Sequence, residues 1–258
     1  MDRTQARQAF DAYVARYDAT NPRIALKVEH TLRVTDLCEQ IARALGLAQE
    51  DVDLAWLVGL LHDIGRFEQV RRYDTFNDAA SVSHAALGVS VLFDERPNEG
   101  TILLREFVNG TDCDDLIRLA VGTHSDYRLP DGLDEREQTL CNILRDADKI
   151  DIIRVNCICP IEDIYGVSAA QMRASELTPA CVDIFYQHRC LPRGVRQHPA
   201  DILLGHICFA WEIVFDQSLA LLREQGYLQQ MLARRWDLLQ TQAAFDGIAQ
   251  HMSAELGL

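Results

Sequence analysis

The sequence predicts an all-α fold, a single compact helical bundle over residues 1–258 with additional C-terminal helices, and three observations carry that prediction. Apolar residues recur at three and four positions along most of the chain, the period of a helix buried on one face, and no stretch alternates as a half-buried strand would. The turn dipeptides Asn109-Gly110 and Asp131-Gly132 are flanked by helical patterns, so they read as helix connectors rather than hairpins. No repeat, low-complexity tract or linker divides the chain, which favours one domain over two.

Taken in order, Asn21-Pro22 is a helix start. Ile24, Val28, Leu32, Thr35, Cys38, Ile41, Ala42 and Leu45 then repeat at helical spacing until Gly46. The next helix runs from about 50 to 63, with Val52, Ala55, Trp56, Gly59 and Leu60 inward and Gly65 as its stop, followed by a polar loop over 67–78. A helix at about 79–95 carries Ala85, Ala86 and Gly88, small residues that permit close approach to a neighbour. Shorter helices are expected at about 100–109 and 112–125, and a long one at 134–155. Residues 156–200 hold four of the seven prolines and read as a loop-rich cap with one or two short helices. Two more helices, 200–225 and 227–252, separate at Gly226 within a C-terminal segment of 201–258.

A content of 48% hydrophobic and 25% charged residues suits a globular protein with a sizeable core. The net charge of −14 opposes binding of an extended nucleic acid, while leaving room for a small anion held by local bases. No apolar run approaches the roughly 20 residues of a membrane span, no leader-like segment opens the chain, and the eight cysteines are scattered. A cytoplasmic protein with reduced thiols is expected. Cys157 and Cys159 form a CxC without a second pair at zinc spacing, which favours two ordinary thiols over a metal site.

Chemistry-bearing residues stand inside these apolar helices. His30 lies in KVEHTLRV, His62 and Asp63 in LLHDIGR, and Asp148 in RDADKID, with His84 and His124 between the dyad and the last Asp. Burying this many titratable groups is expensive unless an ion or mutual pairing satisfies them. Imidazole and carboxylate donors suit manganese, iron, cobalt, nickel or zinc, with magnesium as a harder alternative. Neighbours on a helix point about 100° apart, so His62 and Asp63 can serve one ion only near a helix end.

These residues resemble the H…HD…D signature of the HD-domain superfamily of metal-dependent phosphohydrolases. The resemblance covers about 22–155, the metal-binding core. It implies one or two divalent transition-metal ions, with His30, His62, Asp63 and Asp148 ligating the first, and His84 and His124 the second across a bridging Asp63. It further implies hydrolysis of a small phosphate ester or nucleotide by metal-activated hydroxide attack on phosphorus, with Asp63, Arg66 and Lys149 catalytic and the two cations holding phosphate. Asp151 either orients a ligand imidazole or pairs with Arg154 or Arg145. The basic stretch from Tyr186 to His198, with Arg189, Arg193 and Arg196, is either a cap over the substrate or a surface loop balanced by acids elsewhere.

Two other functions stay open. The same donors resemble those of di-iron oxygenases on this fold, and a regulatory ligand-binding module with a vestigial site would keep the architecture. The C-terminal helices suit either the core or a homodimer contact. No Gly-rich phosphate loop and no Gly-x-Ser-x-Gly elbow is present.

Overall fold

The computed structural model describes residues 1–96 and 100–258. Among these it is all-α: fifteen α-helices and three 3-10 turns, with one isolated bridge between Glu95 and Ile102. No helix is long and apolar enough to cross a membrane. The chain divides into two compact units, Met1–Ala147 and Asp148–Leu258.

The first unit opens with α1 (Arg3–Val14), which the sequence analysis passed over. Asp2 caps it by accepting from the amides of Thr4 and Gln5, and Ala6, Ala9, Phe10 and Tyr13 bury one face. α2 (Pro22–Ala44) begins as expected, with Asn21 accepting from the Arg23 amide and Pro22 in the first turn. It ends at Gly46, whose positive φ of 73° lets the returning amides reach the Ala42 and Arg43 carbonyls.

α3 (Gln49–Leu61) is the central helix, buried on nearly every side from Val52 to Leu61. It packs on α2, and a Cβ at Gly59 would stand 2.8 Å from the Thr35 Cα, so this crossing requires glycine. The chain then departs from expectation. Gly65 does not stop the helix; after a two-residue turn, α4 (Ile64–Tyr73) occupies much of the segment expected to be loop. Gly65 instead permits backbone contact with α5 (His84–Phe93): a Cβ there would lie 2.3 Å from the His84 carbonyl and 2.5 Å from the Gly88 amide. The small residues expected to admit a close neighbour do so at Gly88.

α6 (Leu104–Phe107) is shorter than expected, and α7 (Asp114–Thr123) and α8 (Glu135–Ile158) fall where the periodicity put them. α1 packs on α3 and α6, α5 on α4 and α7, and α7 on α3. Phe10, Leu57, Leu60, Leu61, Phe67 and Phe107 fill the interior, each fully buried aliphatic or aromatic side chain contributing roughly 1.5–3 kcal/mol.

α8 crosses the division between the units. The second unit continues with α9 (Ile161–Tyr165), α10 (Ala169–Arg173) and α11 (Pro179–Phe185), three short helices where one or two were expected. The expected helix at 200–225 is α12 (Pro199–Ile207), a 3-10 turn and then α13 (Asp216–Gln225). The break falls at Ile213-Val214-Phe215, a β-branched and aromatic run with low helix propensity. After the Gly226 stop come α14 (Tyr227–Leu232) and α15 (Leu239–Leu256). Phe185, Leu203, Leu204, Ile207, Met231 and Phe245 form this unit's core. Asp201 is buried there and accepts from Thr178, Gln197 and His198, so it ties the loop before α12 to the start of α11.

Candidate metal centre

The site is built at the turn between α3 and α4. His62 caps the C-terminus of α3 and Asp63 the N-terminus of α4, so adjacent side chains leave from two helix ends rather than one surface. The remaining imidazoles come from the helices packed around that turn. His30 stands in the third turn of α2, His84 is the first residue of α5, and His124 closes α7. All five side chains are buried, none more than 5% exposed.

Among the described residues, two groups bring potential ligand atoms within 4.8 Å of one another: His30, His62 and Asp63, and then Asp63, His84 and His124. Asp63 belongs to both. Its Oδ2 lies 3.6 Å from His30 Nε2 and 3.5 Å from His62 Nε2, and its Oδ1 lies 3.6 Å from His84 Nε2 and 3.8 Å from His124 Nε2. The Nε2 atoms of His30 and His62 are 3.3 Å apart, and those of His84 and His124 are 3.0 Å apart.

Backbone and side-chain acceptors fix which nitrogens face inward. His62 Nδ1 donates to the Gly59 carbonyl and His124 Nδ1 to the Val121 carbonyl, both at 2.7 Å. A carbonyl can only accept, so each Nδ1 carries the proton and each Nε2 presents a lone pair. His84 Nδ1 donates to Asp78 Oδ2 at 2.6 Å, with the same result. Such partners orient the imidazoles of metal sites generally. The bare Nε2 atoms of His84 and His124, 3.0 Å apart beside a carboxylate, repel one another, and a cation relieves that repulsion; the donor set therefore fits one or two divalent ions.

The electrostatics agree. Burial alone would raise the Asp63 carboxyl, but Lys27, His62 and Arg66 override it and hold the group well below the usual carboxylate range. Burial, with Arg66 and His124 adding, pushes His84 down to about 4 against the pull of Asp78 and Asp63, so its ring is neutral near pH 7 and available as a ligand.

Arg66 lies beside the site in the first turn of α4, its Nε 3.5 Å from Asp63 Oδ1. Its Nη1 is already committed to Gln69, the Phe76 carbonyl and Asp78. Asp148 and Lys149 stand on α8 in the second unit, where Lys149 Nζ donates to the Glu212 carbonyl at 3.1 Å. Asp151 pairs with Arg154 at 2.6 Å, the second of its two expected partnerships. In the basic stretch, Arg189 and Arg193 are exposed, whereas Arg196 turns inward, lies against the Gly205 backbone and donates to the Leu191 carbonyl. The cysteines of the CxC form no disulfide, and Cys157 donates to the Tyr227 carbonyl.

Sequence reasoning missed three residues of this centre. Lys27 Nζ lies 2.6 Å from Asp63 Oδ2, and Asp78 holds His84. Arg145 donates to the carbonyls of Thr123, His124 and Asp126, where α7 ends. Only Lys27, three residues before His30 and on the same helix face, carried a signal.

The HD-domain family model matches residues 28–153, a stretch that contains every residue of both groups. No curated protein and no solved structure matches the chain. The chain thus carries an HD domain over residues 28–153, and the buried His and Asp cluster that this stretch encloses is consistent with the metal site of that family.

Proposed function

We propose that this protein is a phosphohydrolase that uses one or two divalent metal ions to cleave a small phosphate ester, with nucleotides among the candidate substrates. The observation that carries the proposal is the division of the Asp63 carboxylate, one oxygen toward His30 and His62 and the other toward His84 and His124. It supports two ion subsites sharing Asp63. Asp148 is proposed as a further donor on the strength of the sequence signature. Bound ions, of Mn, Fe, Co, Ni, Zn or Mg, supply Lewis-acid charge to phosphoryl oxygens and lower the pKa of water.

The chain's own side chains do the rest. Hydrolysis forms a bond from a water oxygen to phosphorus, breaks the ester P–O bond and returns a proton to the leaving alcohol. The inward-facing lone pairs of His62, His84 and His124 and the ionised Asp63 give the centre its donors without loss of a proton from those imidazoles. Arg66, and Lys149 by resemblance, add positive charge where the phosphoryl group gains negative charge. The net charge of −14 favours a small substrate over a polyanion.

The test is reconstitution with each metal, elemental analysis, and phosphate release from mononucleotides, cyclic dinucleotides and sugar phosphates. Asp63→Ala and His62→Ala are expected to lose both ion and activity. Hydrolysis by either variant at the parent rate refutes the mechanism. Oxygen uptake with a polyol or phosphonate, without phosphate release from any ester, would move the protein to the di-iron oxygenases. Well under one ion per chain, with no catalysis, would leave a regulatory module.

A further inference from the structure

One side chain outside the family signature reaches the shared carboxylate. Lys27 Nζ lies 2.6 Å from Asp63 Oδ2 and 5.3 Å from the centroid of the Phe76 ring. Arg66 approaches the other oxygen, Oδ1, at 3.5 Å, with its guanidinium 5.6 Å from the same ring. Two cations thus flank one phenyl ring beside the carboxylate, in a chain that is otherwise strongly acidic.

The two are not equivalent. Arg66 Nη1 is bound by three acceptors at 2.7–2.8 Å, and through Asp78 it is tied to His84. Its planar fork is held in place. Lys27 carries three donors on a flexible stem, with one hydrogen bond to Asp63, while the ring face attracts the ammonium electrostatically. The Lys27 and Arg66 side chains are each 15% exposed where the imidazoles are almost fully enclosed, so both stand on the solvent side of the centre, and it is the commitment of their donors that separates them.

Resting on the phosphohydrolase reading, we propose that Lys27 binds the anionic phosphoryl oxygen of the substrate directly, and that Arg66, besides lending its charge to that place, positions His84 through Asp78. Phe76 holds the ammonium near the carboxylate without consuming its donors. The phosphoryl oxygen is then met by a compact charge that can follow it as its negative charge grows.

The experiment uses the full chain loaded with metal, and reads ion content by elemental analysis and affinity for inorganic phosphate by calorimetry. Lys27→Met and Lys27→Gln are expected to keep the parent's ion content, lose at least about tenfold in phosphate affinity, and raise KM for the best ester in step. Lys27→Arg should recover part of the loss. Arg66→Gln should lose ion content instead. Parental phosphate affinity in both neutral variants overturns the assignment, as does loss of ions from both. A parent that holds its ions yet neither binds phosphate nor releases it from any ester overturns the phosphohydrolase reading itself, a result distinct from failure at Lys27 alone.

Discussion

His84 Nδ1 stands 2.6 Å from Asp78 Oδ2, while the other oxygen of that carboxylate accepts from Arg66 and Gln69. Asp78 therefore joins the cation beside Asp63 to the imidazole that opens α5. Asp78→Ala frees His84 to rotate, and ion affinity should fall by about 10- to 100-fold. Competition with a chelating dye measures this, and Asp78→Asn, which keeps one acceptor oxygen, should lose less.

Arg145 closes the end of α7 by donating to the carbonyls of Thr123 and His124, where the helix runs out of internal partners, and to that of Asp126 just beyond. Arg145→Met removes these three bonds and loosens His124. Ion titration of this variant should show one affinity weakened by about tenfold and the other retained, since His30 and His62 stand on different helices. Equal weakening at both would count against two subsites.

Gly65→Ala should unfold the first unit more readily than any surface change. Its Cβ would meet the His84 carbonyl at 2.3 Å and the Gly88 amide at 2.5 Å, both backbone atoms that cannot swing aside. Overpacking of this kind costs roughly 1–3 kcal/mol or more, readable as a lowered urea midpoint. Gly194→Ala, where an added Cβ meets nothing within 4 Å, is the control.

His206 gives the second unit an acid-sensitive limb. Burial, with the charge of Arg196 adding, pushes it down to about 4, and its Nδ1 is enclosed without a hydrogen-bond partner. Because the folded-state pKa is depressed, the unfolded chain binds the proton more readily between pH 6.5 and 4. Stability therefore falls as pH drops through that window, by at most roughly 3 kcal/mol. His206→Phe, placed between the rings of Tyr165 and Phe209, should flatten that limb in denaturation curves taken from pH 7 to 4.5.

The five clustered ligand candidates of the first unit were legible because each sits in an apolar helical run where an unpaired His or Asp would be costly. Asn21, Pro22 and Gly46 likewise announced the limits of α2 through local chemistry. Gly65 misled, since a glycine after a dyad has the same local pattern whether it ends a helix or admits the backbone of another. Asp78 and Arg145 were not legible, because a carboxylate six residues before His84 and an arginine 21 residues after His124 gain their roles only when α5, α7 and α8 fold together. Residues 3–14 carry a complete helix signal, an Asp cap followed by Ala6, Ala9, Phe10 and Tyr13 at helical spacing.

That first helix reaches the centre from beneath. The Tyr13 hydroxyl donates to the carbonyl of Ile64, the peptide just after Asp63, and the rings of Phe10 and Tyr13 close edge-on against Phe67. The family match starts at residue 28 and omits these rings. A fragment trimmed to that limit would retain the histidines yet bare the floor under the turn that carries two of the donors, so the working extent of this HD domain is set by aromatic side chains its signature never mentions.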